Sequence, residues 1–211
     1  MLSTLALKGV LAKLAPRLDV EIHATRALLE RIGRNEPADL LILTTEAMER
    51  LAREGKVREV RRLGSSGVGV AVRAGAARPD ISSVEAFKNS LVRAKSVAHS
   101  QVGASGLYFV EMIRELGIAD RVKAISVEKG PVGAVVARGE AELGIQQLCE
   151  LAPVPGIDIV GPLPGPLQRW TEFSAGIPLR VQSREKAEAL LDLLCSETGR
   201  AAMRAGQITP A

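Results

Sequence analysis

Apolar residues along this chain follow two rhythms that take turns: short unbroken runs, and spacings of three and four. The first rhythm marks strands buried on both faces and the second marks amphipathic helices. Met1 and Leu2 read as the end of a strand. Leu7, Val10, Leu11 and Leu14 predict a helix over 7–18, and Val20–Ile22 is a short strand. Thr25 stands at an N-cap position before a helix over 27–34 that carries Leu28, Leu29 and Ile32. Asp39–Leu43 is a continuous apolar strand, Thr44, Thr45 and Glu46 open a helix to about Glu54, and Val68–Val72 is a strand again. Strand and helix thus alternate three times in 72 residues, the signature of a parallel sheet covered by helices.

A break rich in small residues, Gly75–Pro79, separates this set from a second one. Ser83 caps a helix to Arg93. Strand Ser96–His99, helix 105–116, strand 122–127, helix 132–138 and strand Leu143–Gln146 follow. A proline- and glycine-rich stretch, Val154–Leu167, contains a strand at Ile157–Val160. Thr171–Pro178 is extended and returns to the first set. Ser183 caps a helix through Leu194, and Glu197–Ala205 is the last helix.

In parallel sheets, ligands sit at the carboxyl ends of the strands. Three turns there carry hydroxyls in the first set: Ser3 with Thr4, Thr25, and Thr44 with Thr45. Capping alone explains any one of them. In the second set the turn Gly103-Ala104-Ser105-Gly106 leads into Leu107, Val110, Ile113 and Leu116 at helical spacing. A helix start offers free N–H groups and partial positive charge to an anion, and Ser105 adds a hydroxyl. Lys129-Gly130-Pro131 precedes the next helix, with Pro131 placed where a missing N–H costs nothing.

Composition narrows the chemistry. With 46% hydrophobic and 25% charged residues, the chain reads as globular. A net charge of +4 is mild, and Arg58, Arg61 and Arg62 read as a solvated face. One tryptophan, one tyrosine and three phenylalanines are too few for a base-stacking platform, so nucleic acid is not an expected partner. No apolar run reaches the ~20 residues of a membrane span. Cys149 and Cys195 fit no metal spacing and read as free thiols. Neither metal nor cofactor is implied. Residue 107 is leucine, so the Gly103 turn is no nucleophile elbow, and Gly64-Ser65-Ser66-Gly67 lacks the lysine of a phosphate-binding loop. His23 and His99, each at a strand end, are the only obvious acid–base candidates.

Six stretches together resemble the molybdate-binding branch of the type II extracellular solute-binding proteins. They are Ser3–Ala15, Ala27–Asp39, Val68–Val72, Gly103–Gly106, Val136–Ile145 and Phe173–Ile177. The resemblance implies an α/β fold of two lobes, 1–72 plus 174–211 and 73–173, with hinges near 72–73 and 173–174 and the ligand in a cleft between them. It implies a monomer that is not an enzyme and that serves an ATP-binding-cassette importer through its permease. It also implies the periplasm, whereas the chain as written shows no signal peptide and so reads as cytoplasmic. Placed on the molybdate pattern, two serines fall at Ala6 and near Arg26, and a tyrosine falls at Gln147. Ser105 and the Lys129-Gly130 pair fall at expected contacts. An arginine fork matches a planar carboxylate better than a bare tetrahedral oxyanion. The expected ligand is therefore an organic carboxylate, with molybdate or tungstate as the alternative. The expected binding set is Ser3, Thr4, Thr25, Arg26, Thr44, Thr45, Ser105, Gly106, Lys129, Gly130, Pro131 and Gln147. Two other readings stay open: a cytoplasmic sensor like the effector domains of LysR-type regulators, and an isomerase or decarboxylase of small acids on the same fold.

Overall fold

The computed structural model describes all 211 residues, Met1–Ala211. In chain order the elements are β1 (Leu2–Thr4), α1 (Lys8–Leu14), β2 (Glu21–His23), α2 (Thr25–Gly33), β3 (Leu41–Thr44), α3 (Thr45–Arg53) and β4 (Val57–Arg73). Then come α4 (Val84–Arg93), β5 (Val97–Ser100), α5 (Ala104–Glu115), β6 (Ala124–Val127), α6 (Val132–Ala137), β7 (Leu143–Gln147) and α7 (Leu148–Leu151). The chain ends with β8 (Ile157–Pro162), β9 (Trp170–Pro178), α8 (Arg184–Cys195), α9 (Glu197–Ala205) and β10 (Thr209–Pro210). These elements form two units, Met1–Ser66 with Thr171–Ala211, and Gly67–Trp170.

In the first unit β1 lies between β2 and β3 and is parallel to both. β9 runs antiparallel to β3, with Leu43 opposite Ser174, and β4 follows it in the sheet. β3 is apolar on both faces because helices cover both. Leu41 and Leu43 pack with Leu2, Leu28, Met48 and Leu51. Burying a side chain of this size stabilises by about 1.5–3 kcal/mol, and Leu28, Leu43 and Met48 are completely buried.

The second unit is ordered β4-β7-β5-β6, with β5 parallel to β6 and β7, and with β7 and β8 antiparallel to β4. One sheet face packs Phe87, Leu91, Val97, Phe109, Met112 and Ile145. Ala98, Val127, Val132 and Val136 form the layer on the other face. All of β7 is buried, its two glutamines included.

Two readings of local structure change. The strand expected at Val68–Val72 begins at Val57 and runs for 17 residues. Its first half hides in the sequence because Arg61 and Arg62 project outward to Asp192, Glu49 and Glu172, so no apolar alternation shows. The hydroxyls expected as caps also divide. Ser83 does accept a hydrogen bond from the Ala86 amide. Thr25 and Thr45 are instead the first residues of their helices; Thr44 is the N-cap residue of α3, but its side chain makes no capping hydrogen bond.

Candidate functional site

Because β5, β6 and β7 are parallel, their carboxyl ends share one edge of the second unit. Past β5, the Ser100 hydroxyl accepts the Gly103 amide at 2.9 Å and pins the turn. Gly103 is the N-cap of α5. A Cβ on Gly106 would lie 1.8 Å from the Ser100 carbonyl oxygen, so the first turn of α5 seats directly on the end of β5. Ser105 beside it is only 6% exposed and its hydroxyl has no partner in the chain.

His99 closes the same edge from below. It is 6% exposed, and its Nδ1 lies 3.1 Å from the Ser100 carbonyl oxygen. Its ring is tilted 40° against Phe109, with centroids 5.2 Å apart. A carbonyl accepts only, so Nδ1 carries the proton and Nε2 the lone pair of the neutral ring. Burial pushes the imidazole below its usual range, against a smaller upward pull from the Ser100 hydrogen bond. The unfolded chain therefore binds more protons than the folded one below pH ~6.5, and the stability due to neutral His99 is lost as pH falls from there through the lowered value. His99→Gln is expected to flatten the melting temperature against pH in this window; an unchanged slope counts against the assignment. His23, by contrast, is half-exposed beside Glu21.

Past β6, Gly130 takes a positive φ of 86°, which favours glycine, and Pro131 is the N-cap of α6 rather than its first residue. The Val132 amide is taken: it donates to Gln146 Oε1 at 3.1 Å. The other end of that carboxamide, Nε2, donates to Glu150 Oε2. Burial raises the Glu150 carboxyl above the usual glutamate range, with the Gln146 hydrogen bond pulling the other way. Lys129 is exposed, and Gln147 is 7% exposed at the end of β7.

In the first unit the carboxyl ends of β1, β2 and β3 also share an edge. Thr4 is buried there, and the Ser3 hydroxyl donates to the Thr4 carbonyl. Thr45 Oγ1 and Ser174 Oγ are 2.8 Å apart and buried. Thr25, Arg26 and Thr44 line one cavity of about 580 Å³, joined by Arg50, Arg53, Glu30 and Glu46. Arg26 is 93% exposed and pairs with Glu30 at 3.5 Å.

The expected residues thus gather unit by unit. Thr25, Arg26 and Thr44 share a cavity, Ser105 and Gly106 open α5, and Gln147 ends β7. Sequence reasoning missed Glu150 and the use of Gln146 as its holder. The only trace was the spacing of four between them, across a strand-to-helix junction.

A family model described as bacterial extracellular solute-binding protein matches residues 15–206. An aconitate isomerase from Pseudomonas sp. is 43% identical over 190 residues, spanning 88% of this chain and 72% of that protein. Among solved structures, the periplasmic molybdate-binding protein of Azotobacter vinelandii superposes with a TM-score of 0.74 at 17% identity, covering 99% of this chain and 97% of that one. A substrate-binding domain assigned to a molybdenum ABC transporter of Clostridium difficile gives 0.75 at 18% identity, covering 100% and 97%. At such identities the likeness establishes the two-domain α/β fold alone.

The Pseudomonas relative overturns the expectation of a protein that does no chemistry, since a chain this similar is named an enzyme. The expectation rested on the resemblance to binding proteins, together with finding no acid–base group beyond two histidines.

Proposed function

We propose that this chain, which belongs to the bacterial extracellular solute-binding proteins, is an isomerase of a small unsaturated polycarboxylate of the aconitate kind. The observation that carries the reading is the 43% identity to an aconitate isomerase over 88% of the chain. The family accounts for a small ligand and for an ABC-type transport setting; the relative adds a reaction.

Aconitate has three carboxylates and a carbon–carbon double bond next to a methylene. Moving one proton across the three-carbon unit moves the double bond and can change its geometry. Such a step needs donors for the carboxylates and one group that takes and returns a proton. The organic acid expected in place of molybdate fits this demand. The start of α5 with Ser105, the Gln147 carboxamide and the exposed Lys129 are the proposed carboxylate donors of the second unit. Thr25, Arg26 and Thr44, with the arginines of their cavity, are those of the first. Ser3, Thr4 and Thr45 stay in the proposal with the donors of the first unit, and Gly130 and Pro131 with those of the second.

Incubation with trans-aconitate, followed by proton NMR, is expected to give a mixture of the cis and trans acids. Ligand at about 100 times its Kd is expected to add about 2.7 kcal/mol, a rise of several degrees in Tm. No interconversion by folded protein that melts higher with trans-aconitate would reduce the reading to carboxylate capture. A rise with molybdate alone would return it to the oxyanion alternative.

A further inference from the structure

We infer that Glu150 is the group that takes and returns the proton, its carboxyl aimed by the Gln146 carboxamide. The inference rests on the isomerase reading above and names the residue that reading leaves open.

Glu150 lies in the short helix that follows β7, one turn past the edge where β5, β6 and β7 end. Its holder cannot turn. Gln146 Oε1 is committed to the Val132 amide, so Nε2 must face Glu150. One carboxylate oxygen therefore accepts a neutral donor. The other, Oε1, has no partner in the chain, yet is not sealed from solvent. No lysine, arginine or histidine nitrogen lies within ion-pairing distance of Glu150. A half-buried carboxylate without a counter-ion is disfavoured, and one hydrogen bond from an amide offsets this only in part. Holding Gln146 does not require a charge either, because a glutamine at 150 would accept the same hydrogen bond.

The other acids of this unit are ill placed. Asp80, Glu85, Glu111, Glu115, Asp120, Glu128, Glu140 and Glu142 are exposed, and Asp158 accepts the Gly75 amide. His99 has its ring packed on Phe109. Among the acids of this unit, Glu150 alone combines partial burial, a free oxygen and a fixed orientation.

The step balances with this one group. The Glu150 carboxylate takes a proton from the methylene carbon. The released C–H electron pair forms a double bond to the central carbon. The old double bond's pair moves to the far carbon, which takes the proton back from the Glu150 carboxyl. Nothing is oxidised or reduced, and the enzyme returns to its starting state. Burial, which raises this carboxyl, also makes it a better base toward carbon than an exposed glutamate.

The test is Glu150→Gln in the full chain, with trans-aconitate as the probe. Turnover is expected to fall by about a thousandfold, while trans-aconitate still raises Tm as in the wild type. Retention of more than a tenth of wild-type turnover overturns the inference. Glu150→Asp keeps the carboxyl and draws it back by one methylene. It is expected to lose about tenfold or more, and a wild-type rate in it also overturns the inference, whether or not the glutamine variant folds. A wild-type protein that does not turn over trans-aconitate is a different outcome, because it defeats the isomerase reading itself and this inference with it.

Discussion

Gly106→Ala is expected to lower stability by about 3 kcal/mol or more and, on the isomerase reading proposed above, to reduce turnover of trans-aconitate. The added Cβ would sit 1.8, 2.7 and 2.9 Å from the O, C and N of Ser100, all backbone atoms that cannot rotate away. Relief requires the first turn of α5 to lift from the end of β5. Overpacking of a side chain costs about 1–3 kcal/mol, and here a strand end must move as well. For a chain of this size each kcal/mol is about 2–4 °C in Tm, so calorimetry should show a drop of about 6–12 °C. On that reading turnover falls because Ser105 and the α5 amides, its proposed carboxylate donors, travel with the turn. An alanine variant with wild-type Tm and rate would mean that α5 does not seat on Ser100 as described.

Phe109→Ala is expected to cost about 3–5 kcal/mol, the range for emptying a buried phenylalanine site. Phe109 is completely buried and packs with Phe87, Val97 and Ile145. It also supports the His99 ring. Calorimetry should therefore show a Tm loss of about 6–20 °C. In the surviving folded protein the His99 imidazole is expected to titrate closer to its ordinary range, since part of what buries it is gone. Two-dimensional NMR of the ring protons reads this directly. Phe109→Leu fills most of the site and should cost less than half as much. If leucine and alanine cost the same, the pocket is not shaped by the ring.

Most of the architecture could be read from the chain because helix and strand periods differ and the small residues punctuate them cleanly. The elements from α4 to β7 lie within one or two residues of where the apolar pattern puts them. What escaped reading has particular causes. The first half of β4 carries arginines whose partners come from distant parts of the chain, so its strand character depends on tertiary ion pairs. Thr25 reads as a cap because threonine often is one, but the backbone turn puts Ala24 in that position; Thr44 does hold the N-cap position of α3, without a side-chain hydrogen bond. Gly106 reads in sequence as a ligand contact, whereas what the structure shows of it is a close approach to Ser100 that only glycine allows. Glu150 was invisible because its distinction is environmental. In sequence it is one of many acids, and only the fold buries it and leaves it without a cation.

Both β4 and β9 pass from one unit into the other, and β9 is the strand between β3 and β4 in the first sheet. The order of synthesis follows from this. When the ribosome has made β1, β2, β3 and the start of β4, the place between β3 and β4 is still empty, and its occupant comes only with residues 171–178. At about 5–20 residues per second, the intervening hundred or so residues keep that gap open for about 5–20 s. The second unit, contiguous from Gly67 to Trp170, has all its strands before the first has its central one. During this interval Leu41 and Leu43 stand on an unpaired strand edge. A nascent chain stalled before Thr171 would therefore carry one finished unit and one adhesive edge, and holdase chaperones would bind the second and ignore the first.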